Sequence, residues 1–214
     1  GIKGFTIQTI AGDPPAPIIG QVWYNTTSNV LKGYTSAPGA WAAGNALNTP
    51  RRSAAGAGTQ TAGLAIAGAP SGGLTTNVEE YDGTSWTEVS NITGVARYDF
   101  FNAGTQTAAL IAGGNDHGVV DLDICEIYDG SSWSETANLG TGRYRGAQGI
   151  GLQTAALAVG GNLPGGIQNL NEQFDGTSWT ELADPTTPRY NQAAGGTSTA
   201  AIVMGGQAPP TVGA

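Results

Sequence analysis

Cysteine, histidine and charge are all scarce in this sequence. The chain of 214 residues contains one cysteine and one histidine, and charged residues make up 11% of it. A single cysteine excludes an intrachain disulfide and a cysteine-rich zinc site. A lone histidine gives little basis for a Ser-His-Asp triad. The longest apolar runs are far shorter than a membrane span, so membrane insertion is not expected.

Basic residues are also few. Lys and Arg number 8 against 16 acids, for a net charge of −8. A nucleic-acid partner would require a basic face, so none is expected. Glycine, by contrast, is abundant at 35 residues. Glycines placed between short apolar runs indicate turn-rich β structure, and the length suits one all-β domain.

A repeat organises most of the chain. Each unit has a polar turn, a short apolar run ending in small residues, a variable loop, and a block of the type Tyr-Asp-Gly-Ser-Ser-Trp. The arginines that mark the units are spaced by 46 residues: Arg51, Arg97, Arg143 and Arg189. A period of this size predicts a β-propeller or a solenoid.

Each complete unit is predicted to contain four strands. In the second unit they are expected near residues 99–103, 107–112, 125–129 and 133–136. The second of these is a nearly continuous apolar run, typical of a strand covered on both faces. The Asp-Gly pairs, such as Asp129-Gly130, are predicted to supply the positive φ of a tight hairpin.

The two ends of the chain complement each other. Residues 1–20 are interpreted as an arm or linker that contacts another chain, and residues 207–214 as a tail. Residues 21–50 look like the last half of a unit, with Tyr34 and Trp41 standing where Tyr81 and Trp86 stand in the next. Complete units follow at 51–96, 97–142 and 143–188, and 189–206 is a first half. The prediction is an all-β, four-bladed propeller closed by pairing residues 30–43 with 189–206, which would remove exposed edges.

The recurring motif resembles kelch repeats. Its elements are the double glycine Gly113-Gly114, the aromatic Tyr128 and the tryptophan Trp133, with their counterparts over roughly residues 51–206. The resemblance implies a kelch-type propeller. Ala67-Gly68 departs from the double glycine. Copper-radical oxidases share this architecture but require two histidines, so the single histidine excludes their chemistry here.

A narrower resemblance is to kelch-like proteins of bacteriophages, especially those of marine bacteria. It is carried by AGTQTAALIAGG, YDGSSWSE and GRY in the repeat, and by the leader PPAPIIGQVWYNTT at residues 14–27. The resemblance implies a virion or extracellular location and a tail- or fibre-associated structural or adhesion role. The expected partners are other virion proteins or copies of the chain, and a host-surface glycan or protein is a further candidate; the resemblance does not identify a ligand.

Loops between the second and third strands are the predicted binding surface. They comprise residues 69–77, 115–124 and 162–171, which repeat symmetry places at one rim. The second loop holds the richest non-repeat cluster: Asn115, Asp116, His117, Asp121 and Asp123. Oxygen ligands with one imidazole could hold a divalent cation, but the spacing matches no EF-hand, and we interpret the cluster as a solvated loop. No metal or cofactor is predicted.

The residues shared by every unit are interpreted as scaffold. Trp86, Trp133 and Trp179 are predicted to pack between sheets rather than to stack on sugars. The four repeat arginines are predicted to pair with the acids Glu79, Glu126 and Glu172 and with strand-end carbonyls, rather than to surround an anion.

The sequence therefore favours a non-enzymatic binding module. One alternative is a glycan-binding, lectin-like propeller. Another is a glycan-cleaving enzyme that uses two carboxylates. Its non-repeat candidates, Asp99, Asp116, Asp121 and Asp123, all fall in one unit, and no catalytic residue is predicted.

Overall fold

The computed structural model describes residues 7–16, 18, 20–34, 43–118 and 121–209. Every regular element in those residues is a β-strand, so the protein is all-β. The chain divides into two compact units, Gly1–Ala43 and Gly44–Ala214. The described residues include no helix long and apolar enough to span a membrane.

The first unit contains one small sheet. Strands β1 (Gln8–Ile10), β2 (Val22–Asn25) and β3 (Val30–Gly33) lie in that order, with β1 parallel to β2 and β3 antiparallel to it. The carboxylate of Asp13 ties the sheet together, because it accepts hydrogen bonds from Asn25 Nδ2 and Lys32 Nζ, each at 2.8 Å. The turn at residues 26–29 joins β2 to β3. Residues 8–10 join that pair instead of forming a separate arm, so the structure divides the chain after Ala43 and not after residue 20.

The second unit is built from antiparallel strands. They are β4 (Arg51–Arg52), β5 (Ala55–Thr59), β6 (Ala62–Ile66), β7 (Ala69–Pro70), β8 (Val78–Tyr81), β9 (Trp86–Val89), β10 (Phe101–Thr105), β11 (Ala108–Ala112), β12 (Cys125–Tyr128), β13 (Trp133–Thr136), β14 (Gly151–Leu152), β15 (Ala155–Val159), β16 (Asn162–Leu163), β17 (Gly166–Ile167), β18 (Asn171–Phe174), β19 (Trp179–Glu181), β20 (Ala193–Thr197) and β21 (Ala200–Met204).

Most of these strands form four successive sheets. Sheet 1 has the order β5-β6-β8-β9, sheet 2 is β10-β11-β12-β13, and sheet 3 is β14-β15-β18-β19. The fourth sheet is the terminal hairpin, β20-β21. The four-strand prediction is confirmed for each complete repeat. In sheet 2 the strands begin and end within two residues of the predicted positions.

Glycines permit the two kinds of hairpin turn. Gly104 has a φ of 106°, and a side chain there would collide with the carbonyl of Ala108. Gly130 has a φ of 92°, as predicted for the Asp-Gly turn. In that turn Asp129 Oδ1 accepts the amides of Ser131 and Ser132, each at 2.8 Å, which closes the turn from β12 to β13.

The core lies between the sheets. Ile66 of sheet 1 is buried with Ile111 and Trp133 of sheet 2. Leu110, on the other face of sheet 2, is buried with residues of sheet 3, and sheet 3 packs in turn on the terminal hairpin through Leu157. Because the middle sheets are covered on both faces, their second strands are continuously apolar.

The first strands of the sheets lie side by side. β5 neighbours β10, β10 neighbours β14, and β14 neighbours β20. Side-chain amides link neighbouring repeats here. Asn102 Nδ2 of β10 donates to Gly56 O of β5 at 2.7 Å, and Gln148 Nε2, before β14, donates to Phe100 O, just before β10, at 3.0 Å. The sheets are not closed into a barrel.

A buried ion pair fastens each complete sheet. Arg97 Nη2 lies 2.8 Å from Glu126 Oε1, and both side chains are fully buried. The same pairs form between Arg51 and Glu79 and between Arg143 and Glu172, as predicted. Each glutamate also accepts a backbone amide from the chain that enters the sheet, such as Thr93 N at 2.7 Å from Glu126. The pair therefore links the entry of each sheet to its third strand.

The predicted closure of the ring is not seen in the described residues. Residues 30–33 pair with β2 and not with residues 189–206, and β21 is paired only with β20. Trp41 lies outside the described residues. A physical reason is that residues 21–44 contain no acid, so they cannot supply the carboxylate that the third strand supplies in the other sheets.

Glu126→Gln is expected to lower the free energy of unfolding by about 3–5 kcal/mol, because it leaves the charge of Arg97 buried and uncompensated. Glu135→Gln removes the same charge from an exposed position of the same sheet and should cost no more than about 0.5 kcal/mol. Urea denaturation would compare the two variants. Equal losses would show that burial of the ion pair is not what matters.

The Asp-Gly turns predict a specific acid sensitivity. Hydrogen bonds from the amide of Ser132 and from Ser131 lower the pKa of Asp129 from 3.8 to about 2. Because the folded state favours the carboxylate, its stabilising effect is complete above pH 4 and is lost as the pH falls to about 2. Asp129→Asn keeps the acceptor but cannot titrate, so thermal melts between pH 4 and 2 should show a shallower loss of stability than wild type. An unchanged slope would contradict the assignment.

Candidate functional site

The loops that join the second and third strands of the sheets lie at one end of the second unit, which we call the loop rim. At this end the residue after each repeat arginine pairs with the start of the loop. The pairs are Arg52 with Ala69, Tyr98 with Asn115, Tyr144 with Asn162, and Tyr190 with Gln207. The rim thus combines variable loops with a repeated segment just before the first strands.

Four residues on this rim share an uncommon backbone conformation. Ser53, Asp99, Arg145 and Asn191 have φ values of 52°, 54°, 59° and 53°, and they are spaced by 46 residues. The last three amides of the row each donate to the carbonyl one repeat earlier: Asp99 N to Ser53 O at 3.3 Å, Arg145 N to Asp99 O at 2.7 Å and Asn191 N to Arg145 O at 2.6 Å. A left-handed residue other than glycine costs about 1–2 kcal/mol, so these bonds between repeats hold the row in place. We call it the left-handed row.

The side chains of the left-handed row differ from repeat to repeat, and two of them form an ion pair. Arg145 Nε lies 2.8 Å from Asp99 Oδ2, and the arginine side chain is 36% exposed. The hydrogen bond that Arg145 donates to the carboxylate of Asp99 raises the pKa of Arg145. The guanidinium carbon also lies 5.0 Å from the ring centroid of Tyr144, within the range of a cation–π contact.

A second aromatic pair stands beside this ion pair. The rings of Tyr98 and His117 have centroids 4.9 Å apart and are inclined by 31°. His117 also has a left-handed φ of 69°, and its amide donates to Asn115 Oδ1 at 2.8 Å. Burial raises the pKa of the Tyr98 hydroxyl, while the nearby positive charge of Arg145 opposes that rise. Tyr98, Asp99, His117, Tyr144 and Arg145 together form what we call the rim cluster.

The five loop residues predicted as a binding cluster separate into two groups. Asn115 and Asp121 are buried and joined by a hydrogen bond of 2.8 Å, and burial raises the pKa of Asp121. Asp116, His117 and Asp123 are exposed, and only His117 reaches the rim cluster. The structure contains no group of three His, Cys, Asp or Glu residues able to hold a metal ion, as far as the chain is described.

The repeat tryptophans lie away from the rim. Trp133 is 4% exposed and stacks on Tyr128 at 5.0 Å between ring centroids. The indoles of Trp86 and Trp179 are half-buried and donate to the carbonyls of Asn45 and Ala137 at 3.0 and 3.1 Å. These contacts fit packing between sheets and leave Trp133 no open face for a sugar.

Sequence reasoning did not select Tyr98, Tyr144 or Arg145 as site residues. A signal was present, because a tyrosine follows the repeat arginine in three of four copies and the next residue changes each time, giving Ser53, Asp99, Arg145 and Asn191. A position that varies within a strictly repeated frame is where a binding residue is expected.

No known protein family matches this chain, and no curated protein is similar to it. What the fold defines is an all-β protein of repeated, face-to-face sheets with a polar and aromatic rim.

Mutations in the core and mutations at the rim should have different effects on stability. Trp133→Ala is expected to lower the free energy of unfolding by about 3–5 kcal/mol, the usual cost of deleting a large core aromatic. His117→Ala should change it by no more than about 0.5 kcal/mol, because the side chain is exposed. Chemical denaturation measures both. A Trp133→Ala protein of native stability that lost ligand binding would reverse the assignment.

Proposed function

We propose that the protein is a non-enzymatic structural or adhesion module of a bacteriophage virion, built as a kelch-type β-propeller that binds its target through the loop rim. The observation that carries this proposal is the division of each repeat into a constant interior and a variable rim. The interior repeats the ion pair of Arg97 and Glu126 in every complete sheet, whereas the rim presents different side chains at equivalent positions.

Two features support the propeller arrangement. The first strands of successive sheets lie side by side while each sheet continues outward through its fourth strand, as in blades around an axis. The double glycine Gly113-Gly114, with φ values of 68° and 106°, and the stacked Tyr128 and Trp133 are the elements of the kelch resemblance. The virion role rests on the resemblance of the repeat and of residues 14–27 to phage proteins.

A glycan ligand is the second candidate, and the rim cluster favours it. Aromatic rings beside a paired acid and base contact the apolar face of a sugar and hydrogen-bond to its hydroxyls. Tyr98 and Tyr144 supply the rings, and Asp99 and Arg145 supply the polar groups. The proposal does not require a cation.

The candidate acids give less support to the glycan-cleaving alternative. Asp99 is paired with Arg145, and Asp121 is buried against Asn115. The one thiol, Cys125, is buried, and burial raises its pKa to about 12, far from that of a reactive thiolate. The binding function remains the better account of these side chains.

Binding should depend on the rim cluster. The full chain would be applied to an array of bacterial surface polysaccharides, with Tyr98→Ala and Arg145→Gln as rim variants. Each is expected to reduce binding at least about tenfold, because the loss of a hydrogen-bonded or stacked contact at a binding centre costs more than about 1.4 kcal/mol.

The matched controls are Thr59→Ala and Thr105→Ala, which change exposed residues at the ends of β5 and β10, beside the turns at the opposite end of the sheets. Binding lost in these controls and kept in the rim variants would assign the function to the other end. Mass spectrometry of gradient-purified phage particles tests the virion role separately, and a chain absent from the particles would refute it.

A further inference from the structure

The terminal hairpin exposes an edge and a face that the other sheets cover. In sheets 1, 2 and 3 the second strand pairs on its far side with a third strand, as β11 does with β12. Among the described residues β21 pairs only with β20. Its backbone from Ala200 to Met204 therefore presents hydrogen-bonding groups along an open edge.

The face of β21 is apolar where equivalent faces are buried. Ile202 is 60% exposed and Met204 is 51% exposed. The residues at the same places in sheet 2, Leu110 and Ala112, are 1% and 0% exposed. In sheet 2 these two positions pack on sheet 3, so the exposed apolar face of β21 is a surface that a partner can cover beside the open edge.

A groove of about 250 Å³ lies along this edge, lined by Pro185, Thr186, Thr187, Arg189, Gln192 and Val203. In sheet 2 the residues equivalent to this lining surround a glutamate of the third strand. There Glu126 lies opposite Ile111, pairs with Arg97 and accepts the amide of Thr93. Two repeats of 46 residues later, the positions of Ile111 and Arg97 are Val203 and Arg189, which both line the groove. Thr186 lines it too, three residues before Arg189, just as Gly140, whose amide Glu172 accepts, lies three residues before Arg143.

Arg189 is the one repeat arginine that forms no ion pair among the described residues. Its guanidinium donates to the carbonyls of Gly205 and Gly206 at 3.1 and 3.5 Å, and no carboxylate among the described residues forms an ion pair with it. The glutamates of the three complete sheets are already engaged by Arg51, Arg97 and Arg143.

We propose that this edge binds a β-hairpin of a partner polypeptide whose first strand carries a glutamate two residues before an aromatic residue, and that this glutamate pairs with Arg189. The three third strands of the chain itself read VEEY, CEIY and NEQF, and each is followed by a tight turn and a tryptophan. Such a hairpin would extend β21 by backbone pairing and place its own side chains beside Ile202 and Met204. The inference does not depend on what the loop rim binds.

A peptide of residues 170–182, LNEQFDGTSWTEL, is the direct probe because it carries the required glutamate and no cysteine. A labelled copy would be titrated into the full chain and followed by fluorescence anisotropy. Saturable binding is expected. A peptide with Glu172→Gln, or a protein with Arg189→Gln, should bind at least about tenfold more weakly, as for loss of a charge-assisted pair. Arg52→Gln, an exposed arginine on β4, is the control and should bind like wild type.

A fusion tests the same pairing if the isolated peptide is too disordered to bind. Eleven residues separate Val159 from Asn171 in sheet 3, and ten residues follow Met204. A copy of residues 170–182 appended after Ala214 therefore has a connection of the natural length and a high effective concentration. Amide exchange at residues 200–204 should slow and Tm should rise, and both effects should be lost when the appended glutamate is changed to glutamine.

Three outcomes would overturn the proposal. One is equal binding, or equal protection, by the glutamate and glutamine forms. Another is an unmodified monomer whose amides at residues 200–204 are already protected, since its own chain would then cover the edge. The third is a dimer in sedimentation that Ile202→Ser dissociates, which would make a second copy the occupant.

Discussion

The buried pair of arginine and glutamate is the interaction on which this structure depends. In sheet 2 the guanidinium of Arg97 and the carboxylate of Glu126 are both buried. Burying either charge without the other would cost several kcal/mol, roughly. Burial lowers the pKa of Arg97, and the negative charge of Glu126 opposes that shift. The arginine lies just before the first strand of the sheet and the glutamate lies on the third strand. One ion pair therefore joins two points of the chain that are about thirty residues apart.

The same ion pair recurs in each complete sheet, and this recurrence organises the second unit. Each sheet carries its own pair and buries apolar side chains against its neighbours, so the array is held by contacts between adjacent repeats. Arg143 adds hydrogen bonds to the carbonyls of Ala158 and Gly160, so that it also ties the end of the second strand. The residue two positions after each arginine is consequently delivered to the same place on the rim, whatever its side chain is. That is why Ser53, Asp99, Arg145 and Asn191 can differ while their backbones agree.

The same constraint explains both surfaces for which we propose partners. At the rim, a rigid interior allows the loops and the side chains of the left-handed row, such as Asp99 and Arg145, to vary without loss of the fold. At the terminal hairpin, Arg189 is presented as in the other sheets, but the described residues place no glutamate beside it. Three of the four repeat arginines pair with a glutamate of the same chain. The fourth, Arg189, lies beside an apolar strand edge, so the expected partner is a strand that carries a glutamate.

The sequence by itself determined the all-β class, the four strands of each complete repeat, the Asp-Gly turns and the pairing of Arg51, Arg97 and Arg143 with Glu79, Glu126 and Glu172. These features follow from the residue types within one repeat of 46 residues, and they can be predicted because the same residue types recur at the same positions in each repeat. Only the tertiary structure decided the left-handed row, the contact between the rings of Tyr98 and His117, the parallel pairing of residues 8–10 with β2, and the open edge of β21. Each of these depends on which backbones meet across long stretches of chain, and neither periodicity nor side-chain type specifies such meetings.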